Sequence, residues 1–165
     1  MEVVAEIVPE LAARNAPQRQ PAPQRQGRPE LGRWEQFHLG WLEAGPAETP
    51  IKVGQVVAVI ARSLCLWWLN ACRIVAVVNE DGPVQRFGFG YGTLPDHAGS
   101  GEERLLVEWD RDDDGVWYDI LAFSRPRHFL VRLGYPWVRC VQKRFGRDSA
   151  AAMRRAVRAL AKAAS

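Results

Sequence analysis

Asn79-Glu80-Asp81-Gly82-Pro83-Val84-Gln85-Arg86-Phe87-Gly88-Phe89-Gly90-Tyr91-Gly92-Thr93 is a hairpin turn feeding a strictly alternating strand. Asp-Gly supplies the positive φ angles of a tight turn, and Val84 to Thr93 keeps the period of two. Phe87, Phe89 and Tyr91 then share one face, and Gly88, Gly90 and Gly92 the other. Glycines along a face remove side-chain volume, which fits either a closely packed helix or an open cavity. The run is no phosphate loop, because Thr93-Leu94-Pro95 follows and no helix N-terminus does.

The same pattern extends in both directions. Upstream, Gln55 to Arg62 is rich in Val and Ile, and Leu64 to Val78 is long enough for one bent strand or two. Downstream, Glu102 to Asp110 and Val116 to Phe123 alternate around the turn Arg111-Asp112-Asp113-Asp114-Gly115. Strands joined this closely are antiparallel, and no connection holds a crossover helix, which excludes a Rossmann-type sheet. Ahead of them, a helical turn through Trp34 and Phe37 leads to a strand at His38 to Glu43 and a loop with Pro46 and Pro50.

From Ser124 the period changes. Ser124 is a natural N-cap and Pro126 suits a first helical turn. Leu130, Leu133, Trp137, Val141, Phe145, Ala152, Ala156 and Leu160 mark one stripe of a long amphipathic helix, with a kink or break at Leu133-Gly134-Tyr135-Pro136. The expected fold class is α+β: a curved antiparallel sheet of about six strands wrapped on one long C-terminal helix. Residues 31–165 form the single domain. Residues 1–30 comprise a poor helix interrupted by Pro9 and a Pro/Gln/Arg-rich linker with nothing apolar to bury.

The chain has 165 residues, 47% of them hydrophobic, with seven tryptophans, enough for a buried core. Three cysteines (Cys65, Cys72, Cys140) do not make a disulfide framework, so a reducing, cytoplasmic setting is expected. Cys65 and Cys72 are too far apart for a Cys-x-x-Cys pair, and nothing in the sequence requires a metal or nucleotide cofactor. No transmembrane segment or export signal is read. The net charge of +3 hides a sorting of charge: from Ser124 onward eleven Lys/Arg face one acid, and the remainder carries −7. The basic helix has no nucleic-acid motif and its aromatics lie on the apolar stripe. A solvated face is the simpler reading, an anionic membrane surface the alternative.

Chemistry is sparse. Asp110 to Gly115 resembles the start of an EF-hand loop, but the twelfth position is Leu121, so it reads as a solvated turn. Residues 93–103 gather Thr93, Asp96, His97, Glu102 and Glu103, where a histidine near carboxylates suits acid–base work and a solvated loop is the simpler alternative. His38 and His128 are isolated and read as structural. Asp119 lies on the Trp117/Leu121/Phe123 face and needs a partner if buried, Arg73 or Arg127, in an ion pair or a catalytic arrangement. Asn70 is a similar polar intrusion.

Trp67-Trp68-Leu69-Asn70-Ala71-Cys72-Arg73-Ile74, Phe87 to Pro95, Gly101-Glu102-Glu103, Val116 to Pro126, Leu133-Gly134-Tyr135-Pro136 and Gln142 to Met153 resemble the domain-of-unknown-function family numbered nineteen-ninety, over Trp34 to Val157. The resemblance implies a helix-grip fold of the START and polyketide-cyclase kind, with a sheet and helix around an apolar cavity. Relatives place a first strand ahead of the helix preceding Trp34, where this chain has its Pro/Gln/Arg stretch. Either residues 1–14 substitute for it, the sheet edge is unprotected, or the start of the reading frame is atypical.

These readings favour a cavity for a hydrophobic small molecule or lipid, lined by Trp68, Asn70, Tyr91, Trp117, Asp119 and Trp137. An enzyme of cyclase or hydrolase type in the same cavity would draw on His97, Glu103, Asp119 and Tyr91. A peripheral membrane or partner-binding role for the basic helix is the third.

Overall fold

A computed structural model describes residues 20–22, 31–46, 49–63, 65–94, 99–113, 115–126 and 135–163. Among them lie β1 (Gln20–Ala22), a 3-10 turn (Glu35–Phe37), β2 (Leu42–Gly45), β3 (Val56–Ser63), β4 (Leu66–Glu80), β5 (Val84–Thr93), β6 (Gly99–Asp110), β7 (Val116–Pro126) and the helix α1 (Tyr135–Ala163). The expected α+β architecture is present: a curved antiparallel sheet with one long C-terminal helix.

The sheet order is β1-β7-β6-β5-β4-β3-β2. From β2 to β7 it is a plain meander, as the short turns dictate. Ser63 pairs with Leu66, so only two residues join β3 to β4, and Cys65 takes φ 60 there, as so tight a hairpin requires. β4 is one strand whose register shifts between Ile74 and Ala76, a bulge that bends it. β1 departs from the meander. It lies inside the stretch read as a linker, yet it pairs Gln20 with Tyr118 and Ala22 with Val116 at the far edge of the sheet.

That placement explains the 3-10 turn. β1 and β2 sit on opposite edges, so the chain between them must cross a sheet face. It crosses with Leu31, Trp34 and Phe37, all buried. The Trp34 ring meets Phe89 at 5.0 Å between centroids, Phe37 meets Tyr91 at 6.2 Å and Phe145 of α1 at 5.5 Å. The Trp34 indole N–H donates to the Thr49 carbonyl at 2.9 Å, so the buried polar atom is satisfied. The core therefore has three contributors: the concave sheet face, the crossing segment and the helix.

Three local expectations change. Ser124 and Pro126 do not begin the helix; they end β7, pairing with Gly101 and Gly99. The described helix runs from Tyr135 with Pro136 in its first turn, where proline costs no hydrogen bond; Leu133 and Gly134 of the expected break lie outside the described residues. The strand expected at His38 to Glu43 lies instead at Leu42–Gly45, because Glu35–Phe37 still turns and His38 pairs with Glu35 at 3.1 Å. The glycines Gly88, Gly90 and Gly92 face neither helix nor cavity: the aromatics take the concave side, leaving the glycines on the convex one. Residues 1–14, Arg127, His128, Leu130 and Leu133 lie outside the described residues.

Candidate functional site

Strand parity decides what meets the helix. On the concave face Tyr91 pairs with Glu103, Phe89 with Leu105, Glu103 with Ala122, and Leu105 with Ile120. Toward the β2 end the same face continues through Ile74, Cys72 and Asn70 on β4, then Val59 and Ala61 on β3. Where Phe145, Ala150 and Met153 of α1 pack down, this face is closed core. Nearer the start of α1 it opens into a cavity of about 520 Å³.

The cavity walls are Leu42, Val59, Ala61, Ile120, Ala122, Phe123, Val141 and Phe145. Its polar groups are Asn70, Cys72, Tyr91, Thr93 and Glu103 from the sheet, with Glu102 beside them. Arg139, Gln142 and Lys143 come from the helix. Spacing of three and four residues places those last three along one side of α1, and Arg139 donates to Gln142 Oε1 at 3.2 Å. The result is a mostly apolar chamber with one polar wall on the sheet and a cationic edge on the helix.

The centre of the polar wall is Tyr91 and Glu103. The Tyr91 hydroxyl donates a hydrogen bond to Glu103 Oε2 across the β5–β6 ladder. Burial pushes the Glu103 carboxyl up to about 7, against the pull of the Tyr91 hydrogen bond. Burial also holds the Tyr91 hydroxyl well above the usual tyrosine range, with the Glu103 charge adding to it. The Cys72 thiol is pushed up to about 12, first by burial and then by Glu103. Cys72 is therefore a neutral thiol at physiological pH and a poor nucleophile. Glu103, in contrast, can give or take a proton near neutrality, or donate a hydrogen bond to a carbonyl. The adjoining edge is fixed by Gly101 N–H, which donates to Thr93 Oγ1 at 3.0 Å.

Tyr91, Glu103 and Asn70 are thus brought together. Asp119, Trp117, Trp68 and Trp137 do not line the cavity. Asp119 and Trp117 sit on the opposite parity of β7, because Tyr118, Ile120 and Ala122 take the concave side. Asp119 is buried on the convex face, where Arg104 Nη2 donates to its Oδ2 at 3.3 Å; Arg104 is a partner the sequence reading did not offer, and Arg127 lies outside the described residues. Trp68 has the parity of Asn70 and pairs with the cavity wall Ala61, but its own side chain is not part of the lining; its indole N–H is bonded to the Ser63 carbonyl at 3.2 Å. Trp137 is half exposed at the start of α1. His97 lies outside the described residues.

Sequence reasoning passed over Cys72, Arg139, Gln142 and Lys143. A helical wheel through Phe145 places Arg139 and Gln142 beside the apolar stripe, which was the available signal. The acidic turn holds its own backbone: Asp112 N–H donates to Asp110 Oδ1 and Gly115 N–H to Asp113 Oδ1, at 2.9 and 2.7 Å. Among the described residues no cluster of His, Cys, Asp and Glu has a metal-binding arrangement, and no helix is long and apolar enough to cross a membrane.

The family described as Domain of unknown function (DUF1990) matches residues 22–152, from β1 through the first half of α1. A UPF0548 protein of Dictyostelium discoideum is 40% identical over 136 residues, covering 77% of this chain and 62% of that protein. A UPF0548 protein of Arabidopsis thaliana is 36% identical over 137 residues, covering 81% and 65%. One from Deinococcus radiodurans is 38% identical over 122 residues, covering 68% and 59%. The chain thus spans about three fifths of the length of these curated relatives. No solved structure matches it significantly.

Proposed function

The chain belongs to the DUF1990 family of domains of unknown function, and from its site we propose that it is a binding module for a small hydrophobic molecule or lipid tail with one polar end. The observation that carries this reading is the chamber of about 520 Å³ between sheet and helix, apolar on most sides with polar groups gathered on one. Such a distribution is what small-molecule sites use: apolar walls for affinity and a few placed polar atoms for orientation. A likeness to helix-grip folds of the START kind, in which a sheet and a C-terminal helix enclose the ligand, would fit the same reading. Three unpaired thiols, one of them buried, support a reducing, cytoplasmic setting.

A second reading, an enzyme of cyclase or hydrolase type, is favoured by the Tyr91–Glu103 pair. A carboxyl titrating near neutrality beside a hydroxyl is a competent acid–base pair if a ligand reaches it.

Displacement of a fluorescent apolar probe such as N-phenyl-1-naphthylamine tests the binding reading. Saturable one-to-one binding that Ala122→Trp abolishes without loss of fold is expected, because the indole fills the chamber. Absence of saturable binding, or equal binding by a folded Ala122→Trp variant, contradicts it. The readings part on turnover: a ligand that wild type converts and Glu103→Gln only binds favours the enzyme.

A further inference from the structure

The β3–β4 hairpin projects beyond the rest of the sheet. β5 ends where Thr93 pairs with Cys72, so among the described residues only β3 pairs with residues 66–69 of β4. This projecting ribbon carries Leu66, Trp67, Trp68 and Leu69, which are 56, 66, 47 and 68% exposed. Four consecutive large apolar side chains in water at a strand end call for a partner. Alternation puts Leu66 and Trp68 on one face and Trp67 and Leu69 on the other.

That two-sidedness selects the partner. A protein groove or a second sheet covers one face of a ribbon and leaves the other wet. A bilayer interface surrounds an inserted tip on both faces, and tryptophan is the side chain that favours this boundary. Charge agrees. The Arg62 guanidinium lies 5.9 Å over the Trp67 ring, Arg73 is exposed on the same strand, and Arg139 and Lys143 stand at the cavity edge at this end of the sheet. Glu102 and the buried Glu103 are the acids lining the cavity among the described residues. We propose that the Leu66–Leu69 tip inserts into the interface of an anionic lipid membrane and seats the protein there, with the basic residues at the headgroups. Trp68 pairs with Ala61, a wall of the chamber, so docking brings that wall of the chamber close to the lipid. The docking itself does not depend on what the chamber holds.

Co-sedimentation of the full chain with phosphatidylcholine–phosphatidylserine vesicles, and with phosphatidylcholine alone, tests this. Binding to the mixed vesicles is expected, weakened by high salt and reduced roughly tenfold or more by Trp67→Ser/Leu69→Ser. Brominated phosphatidylcholine in the mixed vesicles is expected to quench wild-type tryptophan emission, a measurement that needs no variant. Arg154→Glu/Arg158→Glu, on the far half of α1, is expected to leave binding unchanged. No sedimentation or quenching overturns the proposal, as does equal binding by a double variant whose circular dichroism and melting show it folded. A wild-type dimer that ignores vesicles and dissociates on Trp67→Ser/Leu69→Ser also overturns it, assigning the tip to a second copy.

Discussion

Glu103 is held in a chamber where its charged form is disfavoured, and that has a measurable consequence. Its carboxyl titrates near 7 folded, against an ordinary 4.5. Between those values the unfolded chain has released the proton and the folded one retains it, so stability falls as pH rises through the window. The loss is on the order of 3 kcal/mol at most. Glu103→Gln is expected to flatten this slope in urea unfolding measured from pH 4.5 to 7.5, whereas a slope unchanged by the substitution contradicts the placement. Tyr118 and Ser149 make a second residue-scale test, their buried hydroxyls 2.9 Å apart. Tyr118→Phe strands the Ser149 hydroxyl and is expected to cost about 1–2 kcal/mol in the same assay. At this scale the sequence was only half legible. Glu103 stood out among the polar residues of 93–103 and Tyr91 on the aromatic face of β5; that they meet across the β5–β6 ladder was visible only in the structure. Asp119 and Trp117 misled, since both parities of β7 carry large apolar residues and only the acid on one of them, answered by Arg104, says which side is outside.

At the scale of elements, the alternation of β5 was plain and its orientation was not. Aromatic and glycine faces follow from period two; that the aromatics face the helix follows from Trp34 and Phe37, which the crossing segment delivers beneath it. The glycines differ among themselves. A Cβ on Gly88 would fall on the Leu105 carbonyl oxygen and 2.8 Å from Leu106 Cδ1, whereas on Gly90 and Gly92 nothing lies nearer than 3.8 and 3.5 Å. Gly88→Ala is expected to lower the unfolding free energy by about 1–3 kcal/mol. Gly90→Ala and Gly92→Ala are expected to be neutral or to gain up to about 1 kcal/mol. Equal losses at all three positions would place the convex face against something else. The helix was legible in its stripe and misread at its start. Ser124 and Pro126 carry good capping chemistry, but pairing with Gly99 and Gly101 keeps them in the ladder, and tertiary context overrides the local preference. Phe145 anchors the stripe over Phe37, and Phe145→Ala is expected to cost about 3–5 kcal/mol by thermal or urea unfolding.

Across the whole molecule, the segregation of charge marks the helix as the basic side, and Trp41 shows how that side is held to the sheet. Its indole N–H donates to Asp148 at 3.1 Å while the Arg144 guanidinium lies 4.3 Å over its ring. The meander from β3 to β7 was legible because its turns are short. The strand at Gln20–Ala22 was not, since Gln-Pro-Ala has no strand signature and only the free edge of β7 recruits it. A cavity was expected from the aromatic and glycine faces of one strand set against a long helix, and from the family resemblance, but its lining depended on parities that sequence alone left open. The most direct test of the central claim is native mass spectrometry of gently purified protein, followed by denaturing extraction of whatever accompanied it. A stoichiometric apolar adduct, absent from Ala122→Trp, is the predicted result. A clean unliganded mass, together with a core that excludes every apolar probe offered, would contradict it.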